Sequence, residues 1–376
     1  MGGPGGVQER GPAGLSRQVS HSGRGVTVAT VLALDGMGGD FGPKEAVRGA
    51  VQALRERPDL EIILVGRKEA LEPWLEGVEP SLRSRIEVEV APEVIAPEEP
   101  PAQAFHRKKQ SSLAVGLRLV HEGKAKAFVS AGSTGALMAG ALLTFGRIPG
   151  VHRPALVQVM PARQGKGVVF LDMGAHLGAS AEDLIQWALM GHLYAEKVLG
   201  VVRPRVALLN VGVEPEKGTE EVRRAYRFLS SWGAIRFVGN VEGREILSGE
   251  VDVVVADGFV GNAVLKAMEG ATRDLLLSLK EELKSSLRTR MGALLAKPAF
   301  DRLRRRFDAQ AIGGAPLLGV AGICVKCHGN STAKAFAAGL GVALGAVEQD
   351  LLGAIGKGLA ELQKAREKEA SGHGAR

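Results

Sequence analysis

Short apolar runs alternate with longer amphipathic stretches along most of the chain. The runs Val28–Leu34, Ile62–Val65, Ala127–Val129, Val168–Leu171, Ala207–Asn210, Arg236–Val238, Val253–Ala256 and Gly322–Lys326 have the length and branched-residue content of buried strands. Between them, Pro43–Glu56 and the segments 108–122, 181–198, 220–231, 261–284 and 332–350 carry apolar residues at helical spacing. Apolar strands separated by helix-length segments predict an α/β protein with a largely parallel sheet buried between helices. In such a layered arrangement a ligand sits beyond the carboxyl ends of the strands.

Glycine and short polar residues gather at those predicted ends. Asp35-Gly36-Met37-Gly38-Gly39-Asp40 follows the first strand and Ser130-Ala131-Gly132-Ser133-Thr134-Gly135 follows another. Asp172-Met173-Gly174-Ala175-His176, Asn210-Val211-Gly212, Gly239-Asn240-Val241-Glu242-Gly243 and Asp257-Gly258-Phe259-Val260-Gly261-Asn262 repeat the theme. Any one of these is also what an ordinary strand-to-helix turn looks like. Together they predict a shared site on one sheet edge.

Composition narrows the function classes. With 45% hydrophobic and 24% charged residues the chain reads as a globular enzyme. Aromatic residues are 4%, too few for a base-stacking surface, so nucleic acid is not an expected partner. A net charge of +7 favours an anionic substrate or partner. The two cysteines do not make a disulfide scaffold and fit a reducing, cytoplasmic compartment. Residues 1–25, rich in Gly, Ser and Arg without an apolar core, read as a disordered extension rather than an export signal. Ala127–Gly146 is uncharged and nearly long enough to span a bilayer, but Gly132-Ser133-Thr134-Gly135 interrupts it.

Region 273–310 departs from the pattern, with ten basic residues against five acidic ones. Met291, Leu294, Leu295 and Phe300 lie among them, and Pro298 is expected to break the helix there. Such a basic, amphipathic hairpin suits an anionic membrane surface, or else packs on a second copy. Residues 354–376 read as a helix end and polar tail.

The loop Ser130–Gly135 precedes a helix, and helix N-termini attract phosphate through free N–H groups and partial positive charge. It lacks the Gly-Lys-Ser/Thr ending of a Walker loop, and no Gly-x-Gly-x-x-Gly follows the first strand. Cys324-Val325-Lys326-Cys327-His328 formally matches a haem c attachment pattern, but both cysteines sit in an apolar strand, where a thiol is a small hydrophobe. No second cluster completes a zinc site.

The segments LDGMGGDFGP, VSAGSTGALMAG, LDMGAHL, LNVGVEPEKGT, FVGNVEGREI, VVVADGFVGNAVLK and GGAPLLGVAGICVKCHGNSTAKAF, in this order over residues 28–350, resemble the bacterial phosphate acyltransferase family of phospholipid synthesis, the PlsX family. The resemblance implies a three-layer α/β/α sandwich of the isocitrate/isopropylmalate dehydrogenase type spanning 26–353. It implies transfer of a fatty acyl group from acyl carrier protein to inorganic phosphate, with no cofactor or metal. It further implies a homodimer attached peripherally to the inner face of the cell membrane, and a downstream glycerol-3-phosphate acyltransferase that uses the product. His176 stands where the family usually has Asn, Cys327 and Asn330 where Ser is common, and Gly36 where Ala is usual.

Phosphate attack on a thioester needs an anion cradle and stabilisation of the tetrahedral oxyanion. Asp35, Gly38, Gly39, Asp40, Ser130, Gly132, Ser133, Thr134 and Gly135 are therefore candidates for substrate contact. Lys217, Lys266, Lys326, His328 and Lys334 are candidates for charge stabilisation, oriented by Asn210, Asn240, Asp257 and Asn262. Arg107, Lys108, Lys109, Arg302, Arg304, Arg305 and Arg306 are candidates for docking an acidic carrier protein. Two other readings compete: a decarboxylating NAD-dependent dehydrogenase, disfavoured by its scattered aspartates, and a membrane scaffold using only 273–310.

Overall fold

The computed structural model describes residues 29–164, 167–306 and 313–373, with the side chains of all of these except 304–306 and 369–373. The extension expected over 1–25 and the side chains of Arg304, Arg305 and Arg306 lie outside the described residues.

The first half of the chain runs β1 (Thr30–Asp35), α1 (Gly42–Glu56), β2 (Leu60–Gly66), α2 (Lys68–Leu75), α3 (Pro80–Arg83), β3 (Ile86–Val90), α4 (Pro101–Arg107), α5 (Ser112–His121), β4 (Ala127–Ser130) and α6 (Thr134–Phe145). Then come β5 (Ala155–Leu156), β6 (Gln158–Met160), β7 (Val168–Leu171), α7 (Ala181–Lys197), β8 (Arg205–Asn210), α8 (Glu220–Ser231), β9 (Arg236–Glu242) and β10 (Val253–Val255). The chain continues through α9 (Gly258–Lys284), α10 (Leu287–Arg306), β11 (Ala315–Leu318), β12 (Ile323–Lys326), α11 (Ala333–Glu348) and α12 (Leu351–His373).

The strands form two sheets, not one. The first has the order β3-β2-β1-β4-β12-β11-β5 and the second β6-β7-β10-β8-β9. Pairing is parallel except where β11 meets β12 and β5, and where β6 meets β7. Segment 155–160 passes between the sheets: β5 pairs with β11, β6 pairs with β7, and the Val157 N–H between them donates to Pro316 O at 3.0 Å. The Gly-rich loops therefore divide between two sheet edges, because one short extended segment changes partners midway.

Helices cover both faces of each sheet. One apolar core runs without interruption from Leu32 and Leu64 under α1 and α11 to Leu171 and Val206 under α7. A second, with Phe128, Leu117 and Leu137, fills the other face of the first sheet, and a third, with Phe170 and Val254, the other face of the second. Glycine admits the closest contacts: a Cβ on Gly116 of α5 would lie 2.0 Å from the Phe128 ring.

The candidate span Ala127–Gly146 resolves into β4, a loop and α6. Among the described residues no single helix is long and apolar enough to cross a membrane. Only α11 and α12 together reach that composition, across a 54° bend, and α11 buries its apolar side chains in the core. The helix expected to end within 354–376 runs to His373, with Ile355, Leu359 and Leu362 buried. In region 273–310 the hairpin turns at Ser285–Ser286, and Pro298 lies inside α10 instead of breaking it.

Gly116→Ala tests the packing of the first sheet. Alanine favours a helix over glycine by up to about 1 kcal/mol, but overpacking a filled core costs about 1–3 kcal/mol. The variant should melt at a lower temperature than the wild type; an equal or higher melting temperature would show that the Phe128 ring yields.

Candidate active site

β1 delivers Asp35 to the carboxyl edge of the first sheet, where it is 2% exposed. A buried carboxylate requires donors. Its Oδ1 accepts from the N–H groups of Met37 at 2.9 Å and Gly38 at 3.1 Å, and its Oδ2 accepts from the Ser130 hydroxyl at 2.6 Å. Ser130 Oγ in turn accepts from the Gly132 N–H at 3.0 Å. Asp35 thus fastens the loop after β1 to the loop after β4, so closely that a Cβ on Gly38 would lie 2.5 Å from Gly132 N. Both side chains rank among the expected substrate contacts; the structure commits their polar atoms to holding loops, since both are buried.

The loop so held opens α6. Ser133 caps the helix, its Oγ accepting from Ala136 N–H at 3.4 Å, and Thr134 is exposed at the first turn. Gly135 lies against Pro101, where a Cβ would come 2.7 Å from the Pro101 ring. The first N–H groups of a helix have no acceptor within it and draw an anion.

β12 brings Lys326 alongside Ser130 in the parallel ladder. Its Nζ bonds the Cys327 carbonyl and lies 3.5 Å from Ala131 O. Burial pulls its ammonium below the usual lysine range, with Asp35 and Asp40 acting in the opposite sense. His328 opens onto a cavity of about 520 Å³ shared with Asp40, Asn330, Lys266 and Glu269. Although His328 faces the opening, the protein crowded round it and then the Lys326 charge hold its imidazole below its usual range. Gly39 takes a positive φ of 93°, and the following Asp40 N–H donates to Gly329 O at 2.7 Å, fixing both to the His328 turn. Lys266, paired with Glu269 at 2.8 Å, reaches this cavity from α9, a helix of the second sheet.

Both cysteine thiols are sealed in the core. Cys327 packs in the core under α11 and Cys324 on the opposite face of the strand, and burial pushes both thiols up to about 12. Among the described residues no group of three or more His, Cys, Asp or Glu side chains is placed to hold a metal.

At the second sheet, Asp172 is wholly buried and accepts from the N–H groups of Leu156 at 2.9 Å, Ala175 at 3.1 Å and His176 at 2.9 Å. Burial outweighs these bonds and pushes its carboxyl up to about 6. Asp257 caps α9, taking Phe259 N–H at 2.9 Å and Ala179 N–H at 2.6 Å. Asn262 packs on Gly174, 3.4–3.5 Å from where its Cβ would be. Asn210 and Asn240 brace the loop after β8: their amides donate to Lys217 O at 3.0 Å and Glu214 O at 2.9 Å. Lys217 is exposed on that loop, and Lys334 on the first turn of α11. Neither lysine lines the cavity, whereas Lys266 and His328 both do; Lys326 lies behind it, its Nζ on the Cys327 and Ala131 carbonyls.

The basic residues proposed for docking also separate. Lys108 is engaged by Glu99 at 2.5 Å and Val94 O at 2.8 Å, while Arg107 and Lys109 are exposed at the end of α4. Arg302 is exposed on α10. Glu269 and Asp172 belong to the site's framework but escape sequence reasoning. Glu269 looks like any helix-surface acid, and Asp172 stands in a Gly-rich loop with no sign of how deeply it is buried.

Two largely parallel sheets, with a cleft between them that holds Lys266 and His328 and an anion-seeking helix start beside it, define a two-sheet α/β fold. A phosphotransacetylase from Streptococcus pyogenes superimposes with a TM-score of 0.58 at 18% identity, covering 85% of this chain and 94% of that one. A phosphotransacetylase from Staphylococcus aureus does so at 0.52, with 16% identity and coverage of 85% and 94%. The chain belongs to the fatty acid synthesis protein family, whose profile matches residues 30–353. It is 50% identical to a phosphate acyltransferase of Heliobacterium modesticaldum, over 86% of this chain and 96% of the relative. It is 47% identical to one of Clostridium tetani, over 81% and 90%.

Asp172 makes a pH prediction. Its folded pKa of about 6 stands above its ordinary 3.8, so the folded state holds this proton more tightly. Its contribution to stability is full below about pH 4 and falls as pH rises through 6, by about 3 kcal/mol in all. The stability of wild type minus that of Asp172→Asn, from urea unfolding, should fall over this window; a constant difference would refute the assignment.

Proposed function

We propose that this protein transfers a fatty acyl group from the thioester of acyl carrier protein to inorganic phosphate, releasing acyl phosphate and the free carrier thiol. The observation that carries this reading is the meeting of His328 from the first sheet with Lys266 from the second in one cavity, with Lys326 behind it against the loop that opens α6. A phosphate oxygen attacks the thioester carbonyl, the tetrahedral oxyanion forms, and the carbon–sulfur bond breaks to give a thiolate that takes up a proton. The N–H groups of Thr134 and Gly135 suit the phosphate dianion. Lys326, partly desolvated, suits the developing oxyanion, because charge stabilisation is strongest where water is excluded, and the exposed Lys266 adds a second cation at the mouth of the cavity. Neutral His328 is suited to hydrogen-bond phosphate or carry the thiol proton.

Helix α4 begins against Gly135 and ends at exposed Arg107, with exposed Lys109 just beyond, a basic patch that supports docking of an acidic carrier. The hairpin of α9 and α10 supports two further parts of the proposal. Leu275, Leu276, Leu277 and Leu279 are exposed along α9, a surface that a second copy would cover as a homodimer. On α10, Met291, Leu294 and Leu295 are exposed at 69%, 72% and 83% among basic residues, with Phe300 half-buried, which suits the anionic inner face of the cell membrane. There the product would pass to a downstream glycerol-3-phosphate acyltransferase.

Purified protein mixed with acyl carrier protein thioester and phosphate should produce acyl phosphate, and Lys326→Ala should lower turnover about 10²–10³-fold. No acyl phosphate from the wild type would refute the reaction; a near-normal rate in the variant would remove Lys326 from it. Replacing Leu294 and Leu295 with Asp should abolish sedimentation with anionic liposomes while dimer mass and soluble activity stay unchanged. A monomeric product would make the segment an interface between copies instead.

A further inference from the structure

The second sheet ends in a row of exposed apolar side chains that the reaction above leaves unused. Leu177 is 74% exposed on the loop after β7. Phe259 and Val260, 65% and 43% exposed, open α9 directly after β10. Val211 and Val213, 83% and 54% exposed, stand on the loop after β8. These strands are neighbours in the order β7-β10-β8 and pair in parallel, so all three loops leave the same edge. Strands lie about 4.8 Å apart, which puts the outer two loops about 10 Å from each other at their roots.

The rim is held in place. Asp257 ties the Phe259 and Ala179 N–H groups together, and Asn210 Oδ1 accepts from Val211 N–H at 2.8 Å. A Cβ on Gly258 would lie 2.2 Å from His176 O, so the loop carrying Leu177 presses directly on the first turn of α9. Phe259 and Lys266 stand seven residues apart on α9, two turns along one face and about 10 Å in distance. Lys266 lines the cleft cavity with His328. One face of one helix therefore leads from the polar cavity to the apolar rim. That sequence of surfaces matches an amphiphile whose reacting end is polar and whose remainder is hydrocarbon.

We propose that Leu177, Val211, Val213, Phe259 and Val260 seat the hydrocarbon chain of the thioester donor and so determine which chain lengths react. The proposal rests on the acyl-transfer reading above. Each methylene seated on the rim should raise apparent affinity about fourfold until the rim is filled.

The test compares kcat/KM for palmitoyl and butyryl thioesters of the same carrier, in the full chain. Wild type should favour palmitoyl, and the double variant Leu177→Asp, Val211→Asp should cut the palmitoyl-to-butyryl ratio at least tenfold. An unchanged ratio overturns the proposal, whether the two rates hold or fall in parallel. So does a double variant with an unchanged ratio and a smaller mass in solution, which would make the rim an interface between copies. If the aspartates abolish cooperative melting, Leu177→Ser with Val211→Ser is read for the same ratio. Acyl phosphate formed by wild type with equal preference for both thioesters overturns the rim alone. No acyl phosphate from either thioester overturns the reaction and the rim together.

Discussion

Segment 155–160 is the constraint on which the architecture turns. Every buried N–H and carbonyl needs a partner, and this one extended stretch supplies partners to two sheets. β5 completes the first sheet, β6 completes the second, and Val157 between them still donates to Pro316 O. The sheets are thereby fixed edge to edge over a continuous apolar core. A cleft between their strand ends follows, and with it the meeting of Lys266 with His328.

Two buried carboxylates hold the strand ends in position, one in each sheet. Asp35 joins the loops after β1 and β4 through Met37, Gly38 and Ser130. Asp172 joins the loop after β7 to the switching segment through Leu156. Each sits where backbone donors converge, which is how a carboxylate is accommodated away from water. At Asp172 burial prevails over its donors and raises the carboxyl. These residues act by geometry, and the groups left at the cleft are the start of α6, Lys266 and His328, with Lys326 behind them.

That division explains why glycine is frequent in the loops. Where Gly38 meets Gly132, or Gly258 meets His176 O, a Cβ would overlap backbone. The loops interlock at van der Waals distance, so the cleft walls are stiff. Stiffness matters because an oxyanion site works only when its donors are already placed.

Much of this was legible in the chain alone. Runs such as Val168–Leu171 and Val253–Ala256, apolar on both faces, mark buried parallel strands, and the amphipathic period of Pro43–Glu56 marks a helix. The Gly-rich segments, in their order, identified the family, and their place at strand ends made the carboxyl edges the candidate position for a site. Weak local signals were missed: Ala155–Leu156 and Gln158–Met160 are too short for periodicity, and Pro298 looked like a helix break although proline is tolerated within the exposed α10. The number of sheets, the burial of Asp35, Ser130 and Asp172, and the engagement of Lys108 by Glu99 were decided only in three dimensions. Burial and pairing depend on residues far away in the chain: Ser130 comes to Asp35 across 95 positions. No local pattern encodes such a meeting; only the packing of strands side by side creates it.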